Sequence, residues 1–254
     1  MPEIVLLTGG SSGIGLATAC ALRDAGCKVY EISRKPAAHE GIIHLTGDVT
    51  DARRIEAAVA DIIKWEGRID ILINNAGIIT GNKTFDQVDI AEIDRTMLIN
   101  AVAPMYVARE ILPDMLRRRQ GHICNITSAG GMLGNPRMAV YGASKWAAIG
   151  WSESVRIELQ EQKSKVRVTT VAPYYINTGM FDGVKSPIIP ILDPEKTAAK
   201  ILRAIERDKH FKGIPFGFHF IRFWQFILPT RLFDFFFGKV FGIYHTMDNF
   251  VGRK

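Results

Sequence analysis

The sequence predicts an α/β fold, a doubly wound parallel sheet in a single domain that ends in an aromatic-rich helical extension. Three observations predict it. Short apolar runs alternate with longer stretches of helical periodicity, the pattern of a parallel sheet covered on both faces. The first run, Ile4-Val5-Leu6-Leu7, leads directly into Thr8-Gly9-Gly10-Ser11-Ser12-Gly13-Ile14-Gly15 and then a helix-like stretch. Finally, the polar motifs cluster at or just past the C-terminal ends of strands, where open α/β sheets place ligands.

The elements follow in order. A strand at 3–8 feeds the glycine turn, and a helix at about 14–25 begins on it. Glycines allow the sharp turn and close approach of backbone to a diphosphate, for which the free N–H groups of the helix start supply positive potential. Gly9, Ser11, Ser12, Gly13, Ile14 and Gly15 are therefore candidate cofactor contacts, in a Gly-x3-Gly-x-Gly spacing. The strand at 28–33 ends in Ser33-Arg34, where such folds usually set a carboxylate for a ribose 2′-hydroxyl. No acid stands there. Arg34 matches a 2′-phosphate instead, because its planar fork pairs with phosphate oxygens, so NADP(H) is favoured over NAD(H). The other reading of Arg34 is a solvated loop cation.

A strand at 42–46 and a helix at 51–66 flank Asp48-Val49, and a strand at 69–74 runs into Asn74-Asn75-Ala76-Gly77. A long helical pattern at 89–119 carries Asn100 and should break near Pro104 or Pro113, because proline lacks an N–H and crowds the preceding turn. The strand at 121–127 ends at Ser128. A helix at 139–162 opens on Tyr141-Gly142-Ala143-Ser144-Lys145, with Tyr141 lying 13 residues past Ser128. Residues i and i+4 share a helix face, so the Lys145 ammonium can sit beside the Tyr141 hydroxyl and favour its phenolate. That makes Tyr141 a candidate general acid or base for proton transfer at a carbonyl. A strand at 166–172 ends at Pro173, and a helix at 194–208 closes the alternation.

These motifs together resemble the short-chain dehydrogenase/reductase family, and within it the retinol and hydroxysteroid dehydrogenase-like branch. The likeness spans residues 3 to about 180, with the motifs in family order. It implies a Rossmann-like fold and transfer of hydride between NADP(H) and an apolar alcohol, ketone or aldehyde. Asn100, Ser128, Tyr141 and Lys145 become the catalytic set, Asn100 ordering a relay water. The cofactor contacts gain Asp48 and Val49 at the adenine edge, Asn75, Ala76 and Gly77 in a neighbouring turn, Tyr141 and Lys145 themselves, and Pro173, Ile176 and Thr178 near the nicotinamide. One departure is Tyr174 after Pro173, where the family commonly has Gly; its side chain is expected to point toward the substrate mouth. Two other functions remain open: an acyl-thioester 3-ketoreductase, whose members typically end in a Gly-Gly strand unlike Asp248-Asn249-Phe250-Val251-Gly252-Arg253-Lys254 here, and a non-enzymatic NADPH-binding sensor or scaffold.

Composition supports one domain, with residues 1–210 as the dinucleotide-binding and catalytic part and 211–254 as a basic, aromatic extension of it. At 254 residues the chain can bury a substantial core. Cys20, Cys27 and Cys124 have no metal-ligand spacing and read as reduced thiols of a cytoplasmic protein, and no metal site is expected. The first strand starts by Glu3, so no signal peptide or anchor is expected. Residues 211–250 hold 14 of the 24 aromatics, and residues from 211 onward carry +4 of the net +6 charge. With the rest of the chain nearly neutral and no reader motif, nucleic-acid binding is not indicated. Arg222, Arg231 and Lys239 interrupt any run long enough to span a bilayer. A pair of helices from about 218 to 241 could instead form a homodimer or homotetramer interface, lie on a membrane surface through residues 211–245, or wall the substrate pocket.

Overall fold

A computed structural model describes residues 1–35, 39–79, 82–186 and 188–252. Its seven strands form one parallel sheet ordered β3-β2-β1-β4-β5-β6-β7. They are β1 (Ile4–Thr8), β2 (Lys28–Ser33), β3 (Ile42–Thr46), β4 (Ile71–Asn74), β5 (His122–Ile126), β6 (Arg167–Pro173) and β7 (Phe211–Ile214). The chain winds outward from β1 to β3 and then crosses back to β4, which makes the β1/β4 boundary the topological switch point. The glycine turn after β1 and the Asn74–Gly77 turn after β4 meet there, at the C-terminal edge where a crevice opens.

Alternation along β1 shows how the layers form. Val5 and Leu7 pack with Ala19 and Leu22 of α1 (Gly13–Asp24) and with Ile201 and Ile205 of α6 (Pro194–Glu206). Ile4 and Leu6 point the other way, onto Ile55, Val59 and Ile62 of α2 (Ala52–Glu66) and Val107, Ile111 and Met115 of α4 (Ala103–Arg118). Both faces are thus apolar, as a doubly covered strand requires, and each such side chain contributes about 1.5–3 kcal/mol on burial. Caps fix the helix limits. The Asp51 carboxylate accepts from Arg54 N (3.1 Å) at the start of α2, and Gly67, in the left-handed region at φ 80°, ends it.

The long helical pattern is interrupted once. After α3 (Ile90–Met97) a π-helical turn, Leu98–Val102, precedes α4, in which Pro104 lies in the first turn. Pro104 stands where the π-helical turn hands over to α4, next to Ala103, whose N–H bonds Leu98 O. Pro113 lies inside α4 without ending it. α5 (Ala139–Glu161) follows β5, as expected.

β7 was not expected from the sequence. It pairs with β6 from Thr170↔Phe211 to Pro173↔Ile214. Beyond it, a 3₁₀ turn (Phe216–Phe220), α7 (Ile221–Ile227), α8 (Thr230–Phe233) and a π-helical stretch (Asp234–Val240) make two short helical arms divided at Leu228-Pro229. Phe218, Ile221, Phe233, Ile243 and Met247 of this segment join the same core as Val5 and Leu7. Arg253 and Lys254, counted in the tail charge, lie outside the described residues.

Candidate active site

A cleft of about 890 Å³ runs along the C-terminal edge of the sheet, bordered by every predicted cofactor residue from Gly9 to Thr178. Its first end is shaped by backbone. Gly9 and Gly13 hold φ of 70° and 59°, the left-handed region that favours glycine. A Cβ on Gly15 would lie 2.2 Å from Gly9 O and 2.3 Å from Asn75 Nδ2, so only glycine lets α1 start this close to β1. The Thr8 hydroxyl accepts from Asn75 N (3.0 Å) and Ala76 N (3.1 Å), while Asn75 Nδ2 donates to Thr8 O and Gly9 O (both 3.0 Å). The two turns at the switch point are therefore one hydrogen-bonded unit. Asp48 accepts from Thr50 N (3.0 Å) and Thr50 Oγ1 (2.8 Å), which orients its carboxylate at the same end.

Ser33, Arg34 and Lys35 border this end. Lys35 adds a second cation that sequence reasoning passed over, although its place directly after Arg34 was a visible signal. The nearest acid on β2 is Glu31, which is buried, pairs with His44 and stays off the cleft wall. It leaves the Ser33–Lys35 corner basic. Such a corner, with a glycine cradle that a single Cβ would fill, fits the phosphates of a dinucleotide.

The middle of the cleft gathers Ser128, Tyr141 and Lys145. Ser128 follows β5, its hydroxyl accepts from Gly130 N (3.1 Å), and it lies beside the Tyr141 phenol. Lys145 Nζ lies 5.9 Å from the Tyr141 ring centroid and donates to Ile126 O at 3.2 Å. Burial dominates both ionisations, and the expected lowering of Tyr141 by Lys145 is not what the structure gives. Burial pushes the phenol up to about 12, opposed by the Ser128 hydroxyl beside it, and brings the ammonium down to about 8. The charged form of each is the costly one.

Asn100 stands apart from the other three. It sits on the π-helical turn, buried, with Nδ2 donating to Ile78 O (2.8 Å) and Ser144 Oγ (3.0 Å) and Oδ1 accepting from Ile78 N (2.8 Å). It does not border the cleft. Gly77 separates it from the open space, since a Cβ there would come 3.3 Å from Asn100 Oδ1 and 3.5 Å from Lys145 Nζ. π-Helical turns loosen the regular backbone ladder and recur at functional sites.

With this geometry in hand, the match of residues 3–188 to the family model described as short chain dehydrogenase is decisive, because it covers most of the chain. The chain belongs to the short-chain dehydrogenase family. It is similar to human (Homo sapiens) epidermal retinol dehydrogenase 2, 35% identical over 268 residues, with 99% of this chain and 86% of that protein covered. It is also similar to 3-ketodihydrosphingosine reductase of Bacteroides thetaiotaomicron, 38% identical over 182 residues, with 71% of this chain and 66% of that protein covered. Among solved structures, a short-chain dehydrogenase from Streptomyces avermitilis shares 26% identity with a TM-score of 0.77, covering 89% of this chain and 92% of that one.

The far end of this short-chain dehydrogenase cleft is walled by side chains. Tyr174, expected to face the substrate mouth, is 7% exposed: its ring packs on Tyr175 (4.6 Å between centroids) and Phe218 (5.4 Å), and its hydroxyl lies 3.0 Å from Ser186 Oγ. It borders the cleft but is spent on packing, because Phe218 of the tail offers it an apolar face. The Tyr175 hydroxyl joins Asn135 Nδ2 and Thr246 Oγ1, each at 2.9 Å. Phe181 meets Tyr141 edge-on at 6.1 Å and Tyr175 at 4.9 Å, and Phe250 lies 6.5 Å beyond it. Ile176 and Thr178 border the cleft, with Thr178 Cβ 3.3 Å from the Cβ position of Gly13. Asn135, Tyr175, Phe181 and Phe250 carried no motif by which to find them.

His122 lies buried at the start of β5, against Thr169 Oγ1 (2.8 Å), with its imidazole brought down to about 4 chiefly by burial. Among the described residues no three His, Cys, Asp or Glu side chains are placed to hold a metal, and the three cysteines are free.

Proposed function

We propose that this short-chain dehydrogenase/reductase is an NADP(H)-dependent oxidoreductase acting on an apolar alcohol, ketone or aldehyde of steroid-, retinoid- or long-chain-like character. The single observation that carries the reading is the Ser128–Tyr141–Lys145 group at the seam between a backbone-built, basic end and an aromatic end of one cleft. The glycine turn and the Ser33–Lys35 corner would hold a nicotinamide cofactor, which would supply the hydride. Ser128 holds the carbonyl oxygen by hydrogen bonding and stabilises charge as it develops there. Tyr141, beside Ser128, donates its hydroxyl proton to that oxygen; burial keeps the phenol protonated and able to act as acid. Lys145 places a cation beside the phenol as the proton leaves and would hold the ribose of a bound cofactor. Asn100, behind Gly77, orders the relay that returns the proton.

Arg34 and Lys35 hold the 2′-phosphate in this reading. The aromatic wall of Tyr174, Tyr175, Phe181, Phe218 and Phe250 supports an apolar substrate, as do the names of the two relatives, since retinol and 3-ketodihydrosphingosine are both long apolar molecules. The compartment is cytoplasmic, and the exposed tail gives the protein an outside partner, a second subunit in a homodimer or homotetramer or a membrane surface.

The test pairs binding with turnover. NADPH should bind at least about tenfold more tightly than NADH, and Arg34→Ala should remove most of the difference, since a charge-assisted contact is worth roughly 1.5 kcal/mol or more. A panel of long-chain, retinoid and steroid carbonyls should show NADPH oxidation. Equal affinities would overturn the cofactor assignment, and no turnover across the panel would leave a nucleotide-binding protein without this chemistry.

A further inference from the structure

The two helical arms of residues 216–240 have unlike faces. Inward, Phe218, Ile221 and Phe233 are buried in the core, and Phe218 borders the cleft. Outward, Phe226 is 90% exposed, Phe216 66% and Phe223 53%, with Trp224, Phe235 and Phe236 also exposed. Their rings touch in pairs, Phe223 with Trp224 at 5.5 Å and Phe235 with Phe236 at 5.6 Å. Scattered apolar side chains are ordinary on a surface, but a run of bulky aromatics on one segment marks a contact.

The charge on this face decides what it contacts. Arg231 and Lys239 are exposed and, among the described residues, have no carboxylate partner; Arg222 has one, Glu153 at 3.1 Å. Asp234, the one acid within residues 216–240, accepts from the Tyr244 hydroxyl (2.5 Å), and Asp248 beyond the arms faces Arg137 (3.5 Å) and His245 (3.1 Å). A second copy docked about a two-fold axis would bring like charges together, whereas an anionic lipid surface meets them with the opposite sign. Among the described residues no helix is long and apolar enough to cross a membrane, and α7 and α8 have only 7 and 4 residues. Short aromatic arms with cations suit the headgroup boundary, where they lie in the plane of the bilayer.

The same arms are bolted to the catalytic elements. Gln225 Nε2 donates to Met132 O (2.7 Å), just past the turn that begins at Ser128, and Arg222 pairs with Glu153 of α5, the helix of Tyr141 and Lys145. After the arms, the chain returns over the cleft: Thr246 meets the Tyr175 hydroxyl, Val251 N donates to Asp182 O (2.8 Å), and Phe250 borders the aromatic end. We propose that the outer face of residues 216–240 docks on an anionic bilayer and that the cleft is loaded from the lipid phase, so that the substrate is a carbonyl or alcohol dissolved in the membrane. The loading step rests on the oxidoreductase reading above, while the docking does not.

The test uses the full chain, vesicles of phosphatidylcholine with and without phosphatidylglycerol, a long-chain ketone dissolved in them, and a short water-soluble ketone. The wild-type protein should float with the anionic vesicles, and raised salt should weaken the binding. Phe226→Glu and, separately, Lys239→Glu should weaken binding by about tenfold, in line with the loss of one interfacial aromatic or one cation. They should lower turnover of the vesicle-borne ketone by a similar factor and leave the soluble ketone within about twofold, since neither side chain reaches the cleft. Wild-type protein that ignores anionic vesicles, or forms a dimer through Phe226 in light scattering, would overturn the docking. Equal use of the vesicle-borne ketone by wild type and variants would overturn the loading. Flotation with neither ketone reduced would instead overturn the reaction, and the loading with it, while the docking stood.

Discussion

The two ends of the cleft are built by different physics. At the nucleotide end, the decisive contacts are made by backbone and by residues close in sequence to a strand end: the positive φ of Gly9 and Gly13, the 2.2 Å that a Cβ on Gly15 would leave to Gly9 O, and the Asn75 amide that ties two turns together. At the substrate end, the wall is assembled from side chains far apart in the chain, with the Tyr175 hydroxyl reaching Asn135 and Thr246 across 40 and 71 residues. A ligand cradled by backbone leaves a local signature in sequence, because only glycine satisfies the geometry. A pocket walled by packed side chains leaves none, since many aromatics could fill each place.

That contrast can be broken most forcefully at the seam. Tyr141→Phe keeps the ring that packs on Phe181 but removes the proton, so carbonyl reduction should fall by roughly 100- to 10,000-fold while NADPH affinity holds. Retention of most activity would take Tyr141 out of the chemistry. At the nucleotide end, Gly15→Ala forces a Cβ onto Gly9 O and Asn75; overpacking of this kind costs about 1–3 kcal/mol. NADPH binding by fluorescence titration should weaken about 5- to 100-fold. An unchanged affinity would show that the turn yields and that the cradle is not rigid.

The pH profile probes the middle. Lys145 is held down to about 8 by burial, so its cation is present below that value and lost as pH rises through it. If the cation assists proton transfer, kcat/KM for reduction declines above pH of about 8, approaching tenfold per unit. Lys145→Arg should move the decline out of range, because guanidinium stays charged. A flat wild-type profile across this region would remove the cation from the mechanism. The smallest effect belongs to the substrate end. Tyr175→Phe loses the hydroxyl that bonds both Asn135 and Thr246, which also bond each other at 3.0 Å, and should raise KM for a long apolar ketone by about threefold without touching NADPH affinity, as expected for one neutral hydrogen-bond node. A change in NADPH affinity instead would mean that the two ends are not separable.

The same contrast explains what was legible beforehand. Strands β1 to β6 and the glycine, Asn-Asn-Ala-Gly and Tyr-x3-Lys motifs were readable because apolar runs and obligatory glycines are local signals. β7 was not: four residues, Phe211-Lys212-Gly213-Ile214, with a glycine inside, give too little alternation to show a period. The aromatic arms were visible as composition, yet their inner and outer faces were not. With 14 aromatics between residues 211 and 250, almost every helical phase looks apolar. The direction of the Tyr141 shift was misread for another reason: the sequence shows that Lys145 is near, but not that both groups are at most 5% exposed, where desolvation outweighs a cation 5.9 Å from the ring.

The most direct measurement follows the hydride. NADPH carrying deuterium at the transferable position of the nicotinamide would be supplied with a long-chain ketone, and the alcohol product analysed by mass spectrometry. One deuterium bound to the carbinol carbon, formed by wild type and nearly absent with Tyr141→Phe, is the expected result. Alcohol without the label, or no alcohol from any apolar ketone, would contradict hydride transfer between NADPH and a carbonyl at the Ser128–Tyr141–Lys145 site.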